Sequence, residues 1–227
     1  MSNLTAAVLF FLVSHLGLAY LPVRKAIIER LGDKIFLAAY SLVALAGLIW
    51  MITAYGDAPF EPVFDPGPGL RHLPILVMPI ALFLVVCSVT GPNPTSVGQN
   101  PDADEAEPAK GIIRVTRHPM MWGVALWGMT HMLANGDQAA LLFFGSLTLL
   151  ALAGSHAIDA KRSGDPAPGW GVFVQSTSFW PFGAIIQGRN RFAAGEIGWI
   201  PLAITAVLYG LLLAMHPWLF GVSAMPF

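Results

Sequence analysis

Ionisable residues inside the long apolar stretches of this chain are almost all histidines. The six imidazoles are His15, His72, His118, His131, His156 and His216. An ionisable side chain within lipid is costly and marks a functional site by default. Imidazole ligates iron, copper or zinc, and a haem held between spans takes two axial nitrogens from different helices. His15 and His118 meet that demand. His15 lies about 9 Å inside the cytoplasmic end of a first span at 1.5 Å per residue. His118 opens a fourth span on the same side, and His156 closes a fifth there. His131, thirteen residues beyond His118 and so about 20 Å away, belongs near the other face, where His72 and His216 also lie. The plainer alternative is an interfacial histidine whose hydrogen bonds its surroundings satisfy. It stays open for His118 and His156, both near span ends, and is weaker for His15, where less water is available.

The densest stretch runs from Gly111 through Arg114, Arg117, His118 and Pro119 to Gly123. Pro119 suits the first turn of a helix, where a missing N–H costs nothing. Arg117, beside His118, is expected to face carboxylates or phosphates, such as haem propionates or headgroups. Arg114, one turn earlier, has two readings, a carboxylate or phosphate partner and a positive-inside anchor, and the anchor is favoured. Met120, Met121, Met129 and Met132 read as packing. Asp159, three residues after His156, would orient that ring or pair with Arg162. No nucleophile–base motif, zinc-protease motif or phosphate loop occurs, and the single cysteine, Cys87, cannot close an internal disulfide.

These residues must be positioned by membrane helices. Of 227 residues 56% are hydrophobic and 11% charged, with a mean hydropathy of +0.66, whereas a soluble chain carries about 25% charged residues. The reading is all-α: a polytopic membrane helix bundle of about six transmembrane helices, near 4–21, 35–55, 73–90, 117–134, 138–158 and 197–216. Eleven of the twelve Lys and Arg residues fall in alternate connections, which the positive-inside bias places in the cytoplasm, leaving both termini non-cytoplasmic. The N-terminal stretch has its basic residues after the apolar run, so it reads as the first span and not as a cleavable leader. A net charge of −1 with no basic stripe excludes a general nucleic-acid role. Segments 56–72 and 91–110 read as irregular connections. Segment 159–196, with its aromatic run from Gly169 to Phe192, reads either as an interfacial stretch or as an ordinary loop. No repeat or second domain interrupts 1–227.

The block RVTRHPMMWGVALWGMTHMLANGD, with SHLGL, RLGDKIFLAAYSLVALAGL, PNPTSVG and STSFWPFGAIIQGR, resembles the NnrU family of bacterial membrane proteins over almost the whole chain. It is most specific in 111–137 and 177–189. That family is similar to plant zeta-carotene isomerase, which uses haem b to isomerise a cis double bond, and it is associated with denitrification and nitric-oxide reduction. The resemblance implies a bacterial inner-membrane protein binding haem b, with His15 and His118 as ligands. It also implies contact with membrane lipid and with a hydrophobic small molecule or nitric oxide. The isomerases can carry a cysteine ligand three residues before the TRHP histidine. Val115 stands there in this chain, so ligand exchange by that route is absent. RHPMMWG is also similar to a block of S-adenosylmethionine-dependent membrane methyltransferases. The acidic residue expected in their following segment is missing from 166–173, and Met121 or Trp122 replaces their tyrosine. A non-catalytic accessory factor for a respiratory or denitrification complex is the third reading.

Overall fold

Inside lipid every backbone amide must find its partner within the protein, which leaves helices as the form an apolar stretch of this kind adopts. A computed structural model describes residues 1–96, 99–101, 108–164 and 166–225. Most of the acidic part of the 91–110 connection lies outside the described residues. In chain order the helices are α1 (Ser2–Ala19), α2 (Leu21–Leu31), α3 (Asp33–Gly56), α4 (Gly67–Thr90), α5 (Pro119–Asn135), α6 (Gln138–Gly164), α7 (Trp170–Ser176), α8 (Gly183–Ile186) and α9 (Ile200–Phe220). The 3₁₀ turns Gly111–Arg114 and Ala194–Glu196 precede α5 and α9. No strand occurs among the described residues.

Five helices, α1, α3, α4, α6 and α9, are long and apolar enough to cross a membrane. They correspond to five of the expected spans. The sixth, α5, has 17 residues, about 26 Å against a hydrocarbon core of about 30 Å. Pro119 starts it, and Gly136, left-handed at φ 69°, ends it. The third span begins six residues earlier than expected, at Gly67, because a proline is tolerated in a helix's first turn. The fifth continues to Gly164, ending on Lys161 and Arg162, cations favoured by a helix C-terminus.

The helices pack in a row. α9 lies on α4, α4 on α5, α5 on α6, α6 on α1 and α1 on α3. Without a hydrophobic drive between helices in lipid, close approach depends on small residues. Gly123 and Gly128 supply it for α5. A Cβ on Gly123 would stand 2.6 Å from Val85 Cγ2 and 2.7 Å from the Ala81 carbonyl on α4, and one on Gly128 would collide with Thr148 and the Phe144 carbonyl on α6. Pro79 inside α4 deprives the Ile75 carbonyl of its helical donor. Tyr209 of α9 replaces that donor, its hydroxyl lying 2.8 Å from Ile75 O.

Two apolar cores result. One joins α1, α3 and α6 around Phe11, Met51, Phe143 and Phe144. The other joins the C-terminal end of α4 and the N-terminal end of α5 to Trp170, Phe173 and Phe179. Segment 159–196 belongs to this second core: Phe173, Thr177 and Ala184 are fully buried, while Trp180, Phe182 and Ile186 stay exposed. It is therefore neither a plain loop nor a stretch lying wholly along the headgroups. At the opposite end the Gly136 carbonyl accepts from the backbones of Val63 and Phe64, clipping the α3–α4 connection to the α5–α6 turn.

Candidate functional site

His118 stands at the N-cap of α5 and is 1% exposed. Its Nε2 lies 2.9 Å from Asp159 Oδ1 on α6, and Asp159 Oδ2 accepts from Arg117 Nε at 2.9 Å. Both partners are mostly buried, so the attraction is little weakened by water.

The flanking backbone is locked to the 177–182 segment. Arg117 N–H donates to Ser178 O at 3.0 Å and Phe182 N–H to Val115 O at 2.7 Å. The Thr116 hydroxyl and the Trp122 indole both donate to Phe179 O, each at 2.8 Å. The Thr95 hydroxyl lies 2.9 Å from Arg117 O. Three segments that stand apart in sequence, PNPTS, RVTRHP and STSFWPF, thus form one polar plug at this end of the bundle.

His15 is held differently. Its ring packs between Phe11, centroids 5.2 Å apart, and Tyr40, 5.0 Å apart, and it is half-buried. Three of the other histidines bond a carbonyl through Nδ1: His72 to Pro68, His131 to Trp127 and His216 to Val222. His156 is exposed and stacks on Phe179 at 4.5 Å. Among the described residues, His15 and His118 are the histidines that bury a ring nitrogen, Nδ1 in each, with no hydrogen-bond partner. No hydrogen bond or ring contact joins the two. Their helices, α1 and α5, both pack on α6.

Two expectations are corrected. Asp159 neither orients His156 nor pairs with Arg162: it faces the bundle and binds His118 and Arg117, while Arg162 donates to Asn100 Oδ1 and the Ser96 carbonyl. Arg114 is not the favoured positive-inside anchor but takes the other reading, a carboxylate partner. It is 4% exposed and bidentate with Glu196, Nε to Oε2 at 2.8 Å and Nη2 to Oε1 at 2.7 Å. The Arg114 guanidinium and the Gly111 N–H hold the Glu196 carboxyl down at about 2. Nothing in the sequence pairs residues so far apart. The one available signal was the hydroxyl-rich Ser176-Thr177-Ser178 run beside aromatics, a composition suited to capturing backbone groups.

A buried ring nitrogen without a partner is the donor a metal takes, and a carboxylate on the second nitrogen is the usual companion of a ligating histidine. His118 has both features, and His15 has the first. Two imidazoles suit haem iron. Among the described residues no three His, Cys, Asp or Glu side chains converge as ligands for a bare ion.

The NnrU protein family model matches residues 3–224. The chloroplastic 15-cis-zeta-carotene isomerase of Arabidopsis thaliana is 29% identical over 227 residues, covering 95% of this chain and 60% of that protein. The isomerase of the same name from Zea mays is 35% identical over 81 residues, 36% of this chain and 22% of that protein. The chain thus spans at most about 60% of the length of these relatives. No solved structure matches it.

Proposed function

The chain belongs to the NnrU family, and from there we propose that it is a membrane protein of isomerase type in which His15 of α1 and His118 of α5 would hold haem b. One observation carries the reading. The two histidines that leave a buried ring nitrogen unpartnered are the two that the family resemblance marks. When bound, haem supplies a Lewis-acidic, redox-active iron to a hydrophobic polyene or to nitric oxide.

The chain's own residues prepare the site. Asp159 accepts from His118 Nε2, so the ring proton sits on Nε2 and the lone pair on Nδ1, the tautomer that the hydrogen-bond network assigns. Arg117 holds the second Asp159 oxygen, keeping the carboxylate charged and in place. Its guanidinium retains donors for a propionate. Phe179 and Trp122 exclude water from the ring, and Phe11 with Tyr40 fixes the plane of His15. The family match and the alternation of basic residues support a bacterial inner-membrane location, with the His118 end cytoplasmic and both termini on the other side.

The test is an absorption spectrum, oxidised and dithionite-reduced, of detergent-purified protein from haem-supplied cells, with pyridine haemochrome stoichiometry. About one haem per chain is expected, with sharp reduced bands that His15→Ala and His118→Ala each abolish. Unchanged spectra in both variants overturn the ligand assignment. A colourless protein overturns the haem reading in favour of methyl transfer or an accessory role.

A further inference from the structure

On the same end of the bundle as His118, but outside its site, a cavity of about 410 Å³ is lined by Arg114, Ser176, Arg189, Asn190 and Arg191. Two of its three arginines are committed. Arg114 grips Glu196. Arg189 donates to the Gln175 and Thr177 carbonyls, closing the C-terminal end of α7. Arg191 is exposed and makes no hydrogen bond or ion pair among the described residues. The acidic group facing it, Glu196, is already bound by Arg114 and by the Gly111 N–H.

Asn190 adds a second demand. Its amide nitrogen donates to the Arg114 and Ser176 carbonyls, which fixes the amide, and leaves Oδ1 buried without a donor. Leaving such an acceptor unsatisfied is costly. A ligand that answers both groups carries anionic oxygens beside a hydroxyl or ammonium donor.

The surroundings say where that ligand comes from. Ile186 (82% exposed) and Phe192 (54%) flank the lining segment in the chain, and Trp199 (74%) precedes α9, which enters the membrane at once. Basic residues set among exposed aromatics at a span's end are the composition of the headgroup level. A soluble phosphate has no use for that apolar flank.

We infer that this cavity is a phospholipid headgroup site: the phosphate lies against Arg191, a headgroup hydroxyl or ammonium donates to Asn190 Oδ1, and the acyl chains run over Ile186 and Phe192. The site is independent of haem occupancy.

The experiment is native mass spectrometry of delipidated full-length protein titrated with dioleoylphosphatidylglycerol and dioleoylphosphatidylethanolamine, with inorganic phosphate as competitor. The variants are Arg191→Gln, Phe192→Ser and, as a control of equal charge loss on α2, Lys25→Gln, each checked for wild-type unfolding. One tightly held lipid per chain is expected. Its affinity should fall roughly tenfold in Arg191→Gln, the loss of one charge-assisted hydrogen bond. It should fall less in Phe192→Ser and not at all in Lys25→Gln. Equal losses in Arg191→Gln and Lys25→Gln overturn the site in favour of diffuse surface charge. Displacement of the lipid by millimolar phosphate, with Phe192→Ser unchanged, overturns the lipid assignment in favour of a free phosphate.

Discussion

His118 and His15 sit toward the same end of the bundle on helices that both pack against α6, yet one is built into a lattice and the other into a slot. Around His118, the Asp159 carboxylate, the Arg117 guanidinium, the Thr95 hydroxyl and the carbonyls of Ser178 and Phe179 bind the helix start to three other segments. Around His15 there are aromatic faces and no polar partner. The difference teaches that burying an imidazole in a membrane bundle has two solutions. One makes the ring a structural member, so that its removal disturbs fold and chemistry together. The other leaves it replaceable, so that its removal reads chemistry alone. Alanine substitutions at the two positions are therefore not equivalent experiments.

The sharpest way to break this contrast is Asp159→Ala. It strands the Arg117 guanidinium and His118 Nε2 in a site where the side chains are 14% and 0% exposed. Removing one partner of a buried pair costs 3–5 kcal/mol, and the residual exposure here puts the expected loss near 3 kcal/mol. Unfolding by SDS in mixed micelles, followed by tryptophan fluorescence, measures it. Asp159→Asn, which keeps an acceptor for His118 but loses the charge facing Arg117, should fall between. If Asp159→Ala unfolds with the wild type, the lattice is not structural and the comparison collapses.

Glu196 tests how far the lattice extends. Its carboxyl, held at about 2 against an ordinary 4.5 by Arg114 and the Gly111 N–H, stabilises the fold fully above pH 4.5. That contribution is lost as the pH falls from 4.5 through 2, because protonation of the folded protein then breaks the pair. With a third of the side chain in water the effect is screened to about 1 kcal/mol. The difference in unfolding midpoint between wild type and Glu196→Gln should be present at pH 6 and shrink steadily below 4.5. A pH-independent difference would show that Arg114 is held by packing alone.

The slot was more legible in sequence than the lattice, for a physical reason. Lipid forces apolar runs into helices, so the spans could be read from length, and α5 from the Pro119 start and Gly136 stop. An imidazole within a span announces itself by its cost, which is how His15 and His118 were both found. The lattice is made of pairs 41 residues apart, such as His118 with Asp159, and 82 apart, such as Arg114 with Glu196. Such pairs leave no periodicity. Local rules even misled: a spacing of three tied Asp159 to His156, whereas α6 turns Asp159 inward and leaves His156 exposed. Counting Arg114 as a surface cation likewise missed its burial. Side chains that bind carbonyls, as Thr116 does at Phe179, carry no residue code for their target.

The smallest stability effect, and the most discriminating, is expected at His15. Replacing a polar group by an apolar one of similar shape is nearly neutral when the group had no partner to abandon. His15→Leu removes a buried nitrogen that bonds nothing and fills the slot between Phe11 and Tyr40 with an aliphatic side chain. Its unfolding midpoint should lie within about 0.5 kcal/mol of wild type, the range of an uncostly substitution. On the proposed haem assignment the same protein should still lose the haem spectrum, because a ligand would be gone while the fold is intact. His118→Leu should lose both. A His15→Leu protein that is markedly destabilised would mean that the ring has a structural partner after all, and that the two histidines are alike in the way their surroundings argue they are not.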